Sequence, residues 1–172
     1  MKPQAIERGG TYTGAPQRPH SATLPGSRTA LHDPRWPAVA TALAMLRHEG
    51  RCAVRIVDAD CGAGALLLQT MQTARALGFT AIEGRGIDGS PALVGRARAA
   101  AARVSDPAIG VAFELADMVT ALHDEFELPA DIVLWHGSRS ADRQAEIADT
   151  LCRAGVLVIG DHGPAFAERT RA

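Results

Sequence analysis

The sequence predicts a doubly wound α/β sandwich, in which helices cover both faces of a mainly parallel sheet. Short apolar segments rich in β-branched residues alternate with segments of helical periodicity along most of the chain. The short segments are apolar throughout rather than at every second residue, as strands buried on both faces of a parallel sheet are. Right-handed crossovers through the helices then connect successive strands.

Composition limits the classes of function. The chain has 172 residues, 47% of them hydrophobic, which is enough for a single domain with a real core. Its formal net charge of −1 argues against nucleic acid or an acidic membrane as a partner and favours a small ligand. Three cysteines, an odd number without zinc spacing, suit free thiols and predict no metal site. Without an export signal or a long apolar stretch, we expect a cytoplasmic protein.

The chain is expected to begin with an arm. Residues 1–32 are rich in Gly, Pro, Ser, Thr and Arg without any period, so we expect a flexible N-terminal arm followed by one domain over residues 33–172. The domain opens with an amphipathic helix that ends near Gly50. Its start lies either at Asp33, as a cap before Pro34, or at Trp36.

The stretch 54–64 is predicted to organise the rest of the chain. A β-branched strand ends at Asp58, and a turn with two spaced glycines leads into a helix over residues 63–77. Gly62 and Gly64 are expected there because the turn can require positive φ and because a side chain would block close approach of a ligand. Free N–H groups at the start of the helix would then face that ligand.

The same strand and helix alternation continues to the end of the domain. We expect a strand over 80–88, a helix over 90–104, a strand over 109–115, a helical segment over 119–125, a strand over 131–135, a helix over 141–153 and a strand over 156–159.

Polar residues follow these strands where a doubly wound sheet binds ligands, outside the carboxyl ends of the strands. They are Asp58, Asp88, Asp117, the pair Trp135 and His136, and Asp161. A carboxylate after the second strand can accept hydrogen bonds from both hydroxyls of a ribose, and one after the third strand can accept from an adenine amine. Alternatively, these aspartates only cap the next helix.

Four segments, 57–64, 86–91, 116–118 and 131–136, resemble in order and spacing the motifs of class I S-adenosylmethionine-dependent methyltransferases. The resemblance covers about residues 33–161. It implies a Rossmann-like fold and S-adenosylmethionine as the cofactor. It also implies binding residues for the methionine part, the ribose, the adenine and the sulfonium, in that order: Asp58, Asp60, Cys61, Gly62 and Gly64; Asp88, Gly89 and Ser90; Asp117 and Met118; Trp135 and His136.

Two departures from the family pattern stand out. Asp60 occupies a position where the family has glycine, so its carboxylate can either accept from the amino group of the cofactor or repel the carboxylate. The family sheet continues to a sixth and a seventh strand, but only eleven residues follow Asp161. We therefore predict a five-stranded sheet of order 3-2-1-4-5 that lacks those two strands.

The resemblance implies methyl transfer to an unidentified, small-molecule acceptor. His136 and His162 follow adjacent strands and are candidate general bases, although methyl transfer by proximity alone leaves them as solvated or capping residues. One alternative is a non-catalytic nucleotide-binding or regulatory module of the same fold. An NAD-dependent oxidoreductase is disfavoured because Leu67 stands where its fingerprint needs a third glycine.

The fifth strand leads us to expect that two copies of the chain associate. With no sixth strand expected, the outer backbone groups of residues 156–159 would be unpaired, and a tail with Phe166 as its only large apolar residue would cover them poorly. We therefore expect a two-fold homodimer through this edge.

Overall fold

The computed structural model describes residues 30–137 and 144–161 and the backbone of residues 163–166. In chain order the regular elements are α1 (Trp36–His48), β1 (Ala53–Asp58), α2 (Ala65–Ala76), β2 (Ala81–Asp88), α3 (Pro91–Ala101), β3 (Ile109–Leu115), α4 (Met118–Leu122), β4 (Ala130–Leu134), α5 (Gln144–Ala154), β5 (Gly155–Gly160) and β6 (Gly163–Phe166). Short 3-10 turns precede α1 and follow α4.

The sheet has the order β3-β2-β1-β4-β5-β6. Strands β1 to β5 are parallel, which confirms the predicted fold class and the predicted order of these five strands. The carboxyl ends of β1 and β4 therefore lie side by side at the centre of the sheet, with β2 next to β1 and β5 next to β4.

The prediction of only five strands was wrong. The backbone of Gly163–Phe166 forms β6, which pairs antiparallel with β5, with Gly160 opposite Gly163 and Ile159 opposite Pro164. A proline is tolerated there because β6 is the outermost strand, where a missing N–H need not break a ladder. The outer side of β5 is thus paired within the chain. The homodimer was predicted because the outer side of β5 was expected to be unpaired, and that reason no longer applies. The homodimer itself stays an untested prediction.

The folded part begins earlier than expected. Ala30–His32, assigned to the flexible arm, forms a 3-10 turn in which Ala30 is buried. Residues 1–29 lie outside the described part of the chain. Helix α1 begins at Trp36, the second of the two predicted starts. The Asp33 carboxylate does not cap the helix; it accepts from the backbone N–H of Arg35 at 2.9 Å and binds the guanidinium of the same residue.

Two apolar clusters hold the sheet between the helices. Neighbouring residues of a strand point to opposite faces, so Ile56 joins the cluster that contains Leu43 and Leu67 from α1 and α2, whereas Val57 joins the cluster that contains Leu122 and Leu151 from α4 and α5. Burial on both faces explains the continuous apolar strands seen in the sequence. It also makes the carboxyl end of the sheet a rigid support for the loops that follow.

The three cysteines, Cys52, Cys61 and Cys152, are unpaired thiols, as predicted. Among the residues that the structure describes, no helix has both the length and the apolar character that crossing a bilayer requires.

Candidate functional site

The glycine turn between β1 and α2 is attached to the end of β2. Gly62 and Gly64 have φ of 56° and 76°, as the turn was predicted to require. The backbone N–H of Cys61 donates to the carbonyl of Ile87 at 3.0 Å, and the N–H of Gly62 donates to Oδ2 of Asp88 at 3.0 Å. The end of β2, the strand next to β1 in the sheet, therefore fixes the position of the turn.

The second glycine of the turn serves internal packing. A Cβ atom added to Gly64 would lie 2.6 Å from the ring of Phe113, a largely buried residue of β3. The positive φ and the close approach of this aromatic ring both require glycine at Gly64. A role of Gly64 in the approach of a ligand stays a prediction.

Asp88 is the central carboxylate of this region. It is 7% exposed, and its Oδ1 accepts from the N–H of Ser90 at 2.7 Å while its Oδ2 holds Gly62. Each carboxylate oxygen has two acceptor directions, so one on each oxygen is left for a ligand. Ser90 caps the start of α3, because its hydroxyl oxygen accepts from the N–H of Leu93. Asp88 is therefore not the helix cap that the alternative interpretation proposed.

Asp117 is such a cap. Its Oδ1 accepts from the backbone N–H of Thr120 at 3.1 Å and lies 3.2 Å from the hydroxyl of the same residue, at the start of α4. Met118, the next residue, is largely buried. The position of Asp117 at the end of β3 thus has a structural explanation that needs no ligand.

A cleft of about 430 Å³ opens at the carboxyl ends of β1, β2 and β3. It brings together residues that the sequence had predicted to bind a cofactor: Asp60, Asp88, Gly89, Asp117 and Met118. The rest of its lining is Ala59, Pro91, Leu115 and Ala116. A Cβ added to Gly89 would have no atom within 4 Å, so this position is open space at the mouth of the cleft.

The other predicted binding residues do not line this cleft. Asp58 and Cys61 are buried, and burial, followed by the nearby Asp58, Asp88 and Asp60 carboxylates, raises the pKa of the Cys61 thiol. A thiol in that setting is not a nucleophile. Trp135 packs partly buried beside the cluster of α4 and α5.

A buried arginine that the sequence analysis missed lies at the same end of the sheet. Arg35 is 1% exposed and donates from Nε and Nη2 to both oxygens of Asp33, each at 2.9 Å. Its Nη1 lies 3.9 Å from Oδ1 of Asp58, and its Nε lies 3.8 Å from Oδ1 of Asp161. No periodic pattern marks Arg35, and its partners Asp58 and Asp161 come from distant parts of the chain.

Asp58 is the most perturbed carboxyl of this group. It is 1% exposed, and neither oxygen accepts a well-formed hydrogen bond. Burial raises the pKa of Asp58 from 3.8 to about 7; Arg35 opposes the shift, and the Asp60 and Asp33 carboxylates add to it. Asp58, at the end of β1 just before the glycine turn, therefore has a pKa near neutral pH.

The end of β4 carries a paired histidine. Nδ1 of His136 lies 2.9 Å from the carboxylate of Asp161, which also accepts from the N–H of Gly137 at 3.0 Å. Because a carboxylate only accepts, Nδ1 is the protonated nitrogen, and Nε2 of the neutral ring is left as an acceptor. The His136 side chain is 25% exposed. His162, the other predicted base, lies outside the described residues.

Within the described parts of the chain, no three His, Cys, Asp or Glu side chains are arranged to hold a metal ion.

Comparison with known proteins identifies the fold. No protein-family model matches the chain, and no curated protein matches it in sequence. Among solved structures it is similar to a Listeria monocytogenes protein described as a class I S-adenosylmethionine-dependent methyltransferase, with 18% identity, a TM-score of 0.57 and coverage of 74% of this chain. Magnesium protoporphyrin IX methyltransferase from Synechocystis PCC 6803 with bound S-adenosylmethionine matches with 18% identity, a TM-score of 0.53 and 77% coverage.

The cyclopropane synthase MmaA2 from Mycobacterium tuberculosis is also similar, with 19% identity, a TM-score of 0.52 and 73% coverage of this chain. The matched region spans 44%, 62% and 41% of these three neighbours, in the order given. The chain therefore has the Rossmann-like fold of the class I S-adenosylmethionine-dependent methyltransferases and spans only part of the length of these three proteins.

Proposed function

We propose that this chain binds S-adenosylmethionine in the cleft at the carboxyl ends of β1, β2 and β3 and transfers its methyl group to a small-molecule acceptor. The observation that carries the proposal is Asp88, a largely buried carboxylate with one acceptor direction left on each oxygen at the mouth of that cleft. Structural neighbours that are methyltransferases with bound S-adenosylmethionine and S-adenosylhomocysteine support it.

The lining of the cleft fits a nucleoside. The two hydroxyls of a ribose would donate to Asp88, the open position at Gly89 leaves room beside it, and Met118 offers an apolar wall for a base. Asp117, which caps α4, lines the same cleft. The cofactor supplies an activated methyl group on a sulfonium. The chain itself binds and orients the nucleoside and excludes water from it.

His136 is proposed as the general base. Asp161 fixes the ring through Nδ1, so Nε2 can take a proton from the acceptor as it is methylated. Such a base is useful only for an acceptor that loses a proton from O–H or N–H. His162 stays a candidate by sequence alone.

The unpaired cysteines also fit the proposed cytoplasmic location.

A second candidate function is a nucleotide-binding or regulatory module without methyl transfer. Asp60, a carboxylate in the lining of the cleft at a position where the resembled family has glycine, favours it. The two functions differ in turnover and not in binding.

Calorimetric titration with S-adenosylhomocysteine tests the binding site. Asp88→Asn should weaken binding by about 1.5–3 kcal/mol, the range for hydrogen bonds to a charged group. Asp149→Asn, on the exposed side of α5, removes the same charge at a residue that does not line the cleft and should bind as the wild type does. Because Asp88 also holds two backbone N–H groups, circular dichroism and thermal unfolding must show that the variant is folded.

Unchanged affinity in a folded Asp88→Asn variant would exclude Asp88 as the ribose ligand. The same protein, incubated with methyl-labelled S-adenosylmethionine and a panel of phenol, amine and thiol acceptors, separates an enzyme from a binding module. Label transfer supports the methyltransferase. Binding without transfer to any acceptor class supports the second candidate.

A further inference from the structure

The two edge strands of the sheet differ in how well they are protected from pairing with another chain. β6, at one edge, has four residues and contains Pro164, which has no N–H to donate. β3, at the other edge, has seven residues and no proline. Its one charged residue, Glu114, is bound to Arg85 of β2 at 2.6 Å. β3 therefore has few of the features that keep an exposed strand from pairing.

The outer backbone groups of β3 belong to every second residue. The carbonyl of Ala108 accepts from the N–H of Ile82, and the N–H of Ala116 donates to the carbonyl of Asp88. Because the two backbone groups of a strand residue point to the same side and alternate along the strand, the even-numbered residues of β3 face β2. The residues whose backbone groups face outward are Ile109, Val111, Phe113 and Leu115.

Some of these outer groups already have partners. The N–H of Ile109 donates to the carbonyl of Asp106 at 3.0 Å. The carbonyl of Phe113 accepts from Nε of Arg98 at 2.9 Å. Within the part of the chain that the structure describes, the N–H and C=O of Val111 and the N–H of Phe113 have no protein partner. The centre of the edge can therefore form hydrogen bonds with a further strand.

The two faces of β3 differ in side-chain character. Ile109, Val111 and Phe113 point to the face of the sheet that packs against α3 and its apolar cluster. A groove of about 490 Å³ opens there beside the edge, and its lining includes Val104, Ile109 and Val111. On the other face, Gly110 and Ala112 are small and exposed. A strand added at this edge would cover apolar side chains on one face and meet no bulky group on the other.

The sequence of β3 is complementary to itself in one antiparallel register. With Ala112 opposite Ala112 of a second copy, Val111 lies opposite Phe113 of that copy, and both residues have outward backbone groups, so the two form a hydrogen-bonded pair. The carbonyl of Phe113 has a second acceptor direction for this bond. Gly110 lies opposite Glu114 of the second copy, so no like charges face each other.

We propose that two copies of this chain pair antiparallel through their β3 edges, with Ala112 on the two-fold axis. The second strand is another copy of β3 because one register satisfies the outward groups of both strands and places apolar side chains opposite apolar ones. Leu115, which lines the candidate cleft, lies opposite Ile109 of the second copy in this register. The dimer therefore places the second copy beside the cleft, whatever ligand the cleft binds.

Light scattering of the full chain at several micromolar concentrations tests the pairing, and we expect a dimeric mass. Ala112→Lys places two like charges opposite each other on the axis. Because Ala112 is exposed, this variant should keep its thermal transition while the dissociation constant of the dimer rises about tenfold or more.

Two control variants separate the effect of the axis from that of a new side chain. Ala112→Thr changes the same position without adding charge. Gly110→Lys adds the same charge on the same face, but opposite Glu114 of the second copy, and a Cβ at Gly110 meets only the carbonyl oxygen of Ile82 at 4.0 Å. Both controls should remain dimeric.

Oxidative cross-linking tests the register. In a chain whose exposed Cys52 and Cys152 are changed to serine, Ala112→Cys brings two thiols together on the axis, where Cα atoms lie about 4.5 Å apart. Gly110→Cys is the matched control, because in this register its two Cα atoms are about 14 Å apart, beyond the reach of a disulfide. We expect a covalent dimer from the first variant and not from the second.

Several outcomes overturn the inference: a monomeric full chain at every concentration, a dimer that Ala112→Lys leaves unchanged, or equal cross-linking at positions 112 and 110. For a monomeric chain, hydrogen exchange at the Val111 amide identifies the alternative. Slow exchange would show that another segment of the same chain covers β3, and fast exchange would show that the edge is bare.

Discussion

The guanidinium of Arg35 lies 3.9 Å from the carboxylate of Asp58, and neither side chain is exposed to solvent. Arg35 precedes α1, whereas Asp58 ends β1, so the pair joins the first folded segment to the centre of the sheet. Asp33 and Asp161 complete the surroundings of the guanidinium. One buried guanidinium thus lies close to carboxylates from three parts of the chain.

Arg35→Met is expected to lower the free energy of unfolding by about 3–5 kcal/mol, because removing one partner of a buried ion pair leaves uncompensated charge behind. Urea denaturation at pH 8, where Asp58 is mostly ionised, measures the effect. Arg51→Met is the control, since Arg51 makes a similar 2.8 Å pair with Asp131 but is 46% exposed. Its cost should lie between about 0 and 1 kcal/mol. Equal costs for the two variants would contradict the role given to Arg35.

Asp58 predicts a pH dependence of stability. A carboxyl with a pKa of about 7 in the folded chain and an ordinary value of 3.8 when unfolded binds its proton more tightly in the folded state. Below about pH 4 both states are protonated, so stability is unaffected there. Between about pH 4 and 7 stability falls as pH rises, by up to about 1.4 kcal/mol per pH unit, and it levels off above that interval.

Asp58→Asn imitates the protonated form at every pH. The variant and the wild type should have similar free energies of unfolding near pH 4. As the pH rises toward 7, the variant should become steadily more stable than the wild type. Urea denaturation of both proteins at several pH values gives this difference, in which the titration of all other groups largely cancels. Parallel stability curves for the two proteins would show that Asp58 keeps an ordinary pKa in the fold.

The parts of the fold that could be predicted are those that a short stretch of sequence determines. Each apolar strand, the spaced glycines after β1 and the carboxylate that ends β2 can be recognised from a few consecutive residues, so the strands and the position of Asp88 could be predicted. The strand order was predicted from the resemblance to a known family. Arg35 was missed because its partners Asp58 and Asp161 come close only in the folded chain. The backbone of β6 was missed because Gly163 and Pro164 suppress a strand signal, although pairing with β5 outweighs that local preference.

Gly64→Ala should lower the free energy of unfolding by about 2–4 kcal/mol. The φ of 76° disfavours any side chain, and the added methyl group would lie 2.6 Å from the Phe113 ring. Phe113→Leu in the Gly64→Ala background should recover part of the loss, which a double-mutant cycle measures as a coupling energy. Gly95→Ala, on the exposed side of α3 with nothing within 4 Å, should instead be stabilising by about 0.5–1 kcal/mol. Additive effects of the Gly64 and Phe113 changes would show that the two residues do not pack together.

Deletion of residues 162–172 is expected to cause self-association. It removes β6 and leaves the outer N–H and C=O groups of β5 unpaired beside Val156, whose side chain is 42% exposed. An unpaired strand of this kind is a template for pairing with a second chain. Light scattering at matched micromolar concentrations should show a larger mass for the deletion variant than for the full chain. Its free energy of unfolding should fall by roughly 0.5–1.5 kcal/mol for each backbone hydrogen bond lost.

Deletion of residues 167–172 alone is the matched control, because it shortens the chain but keeps the residues that form β6. This variant should have the mass and the stability of the full chain. If both deletions leave the mass unchanged, pairing of β6 with β5 does not protect the sheet from association. If the full chain is itself a dimer, and both variants remain so, the dimer forms through another surface, because β6 already occupies the outer side of β5 in each chain that keeps it.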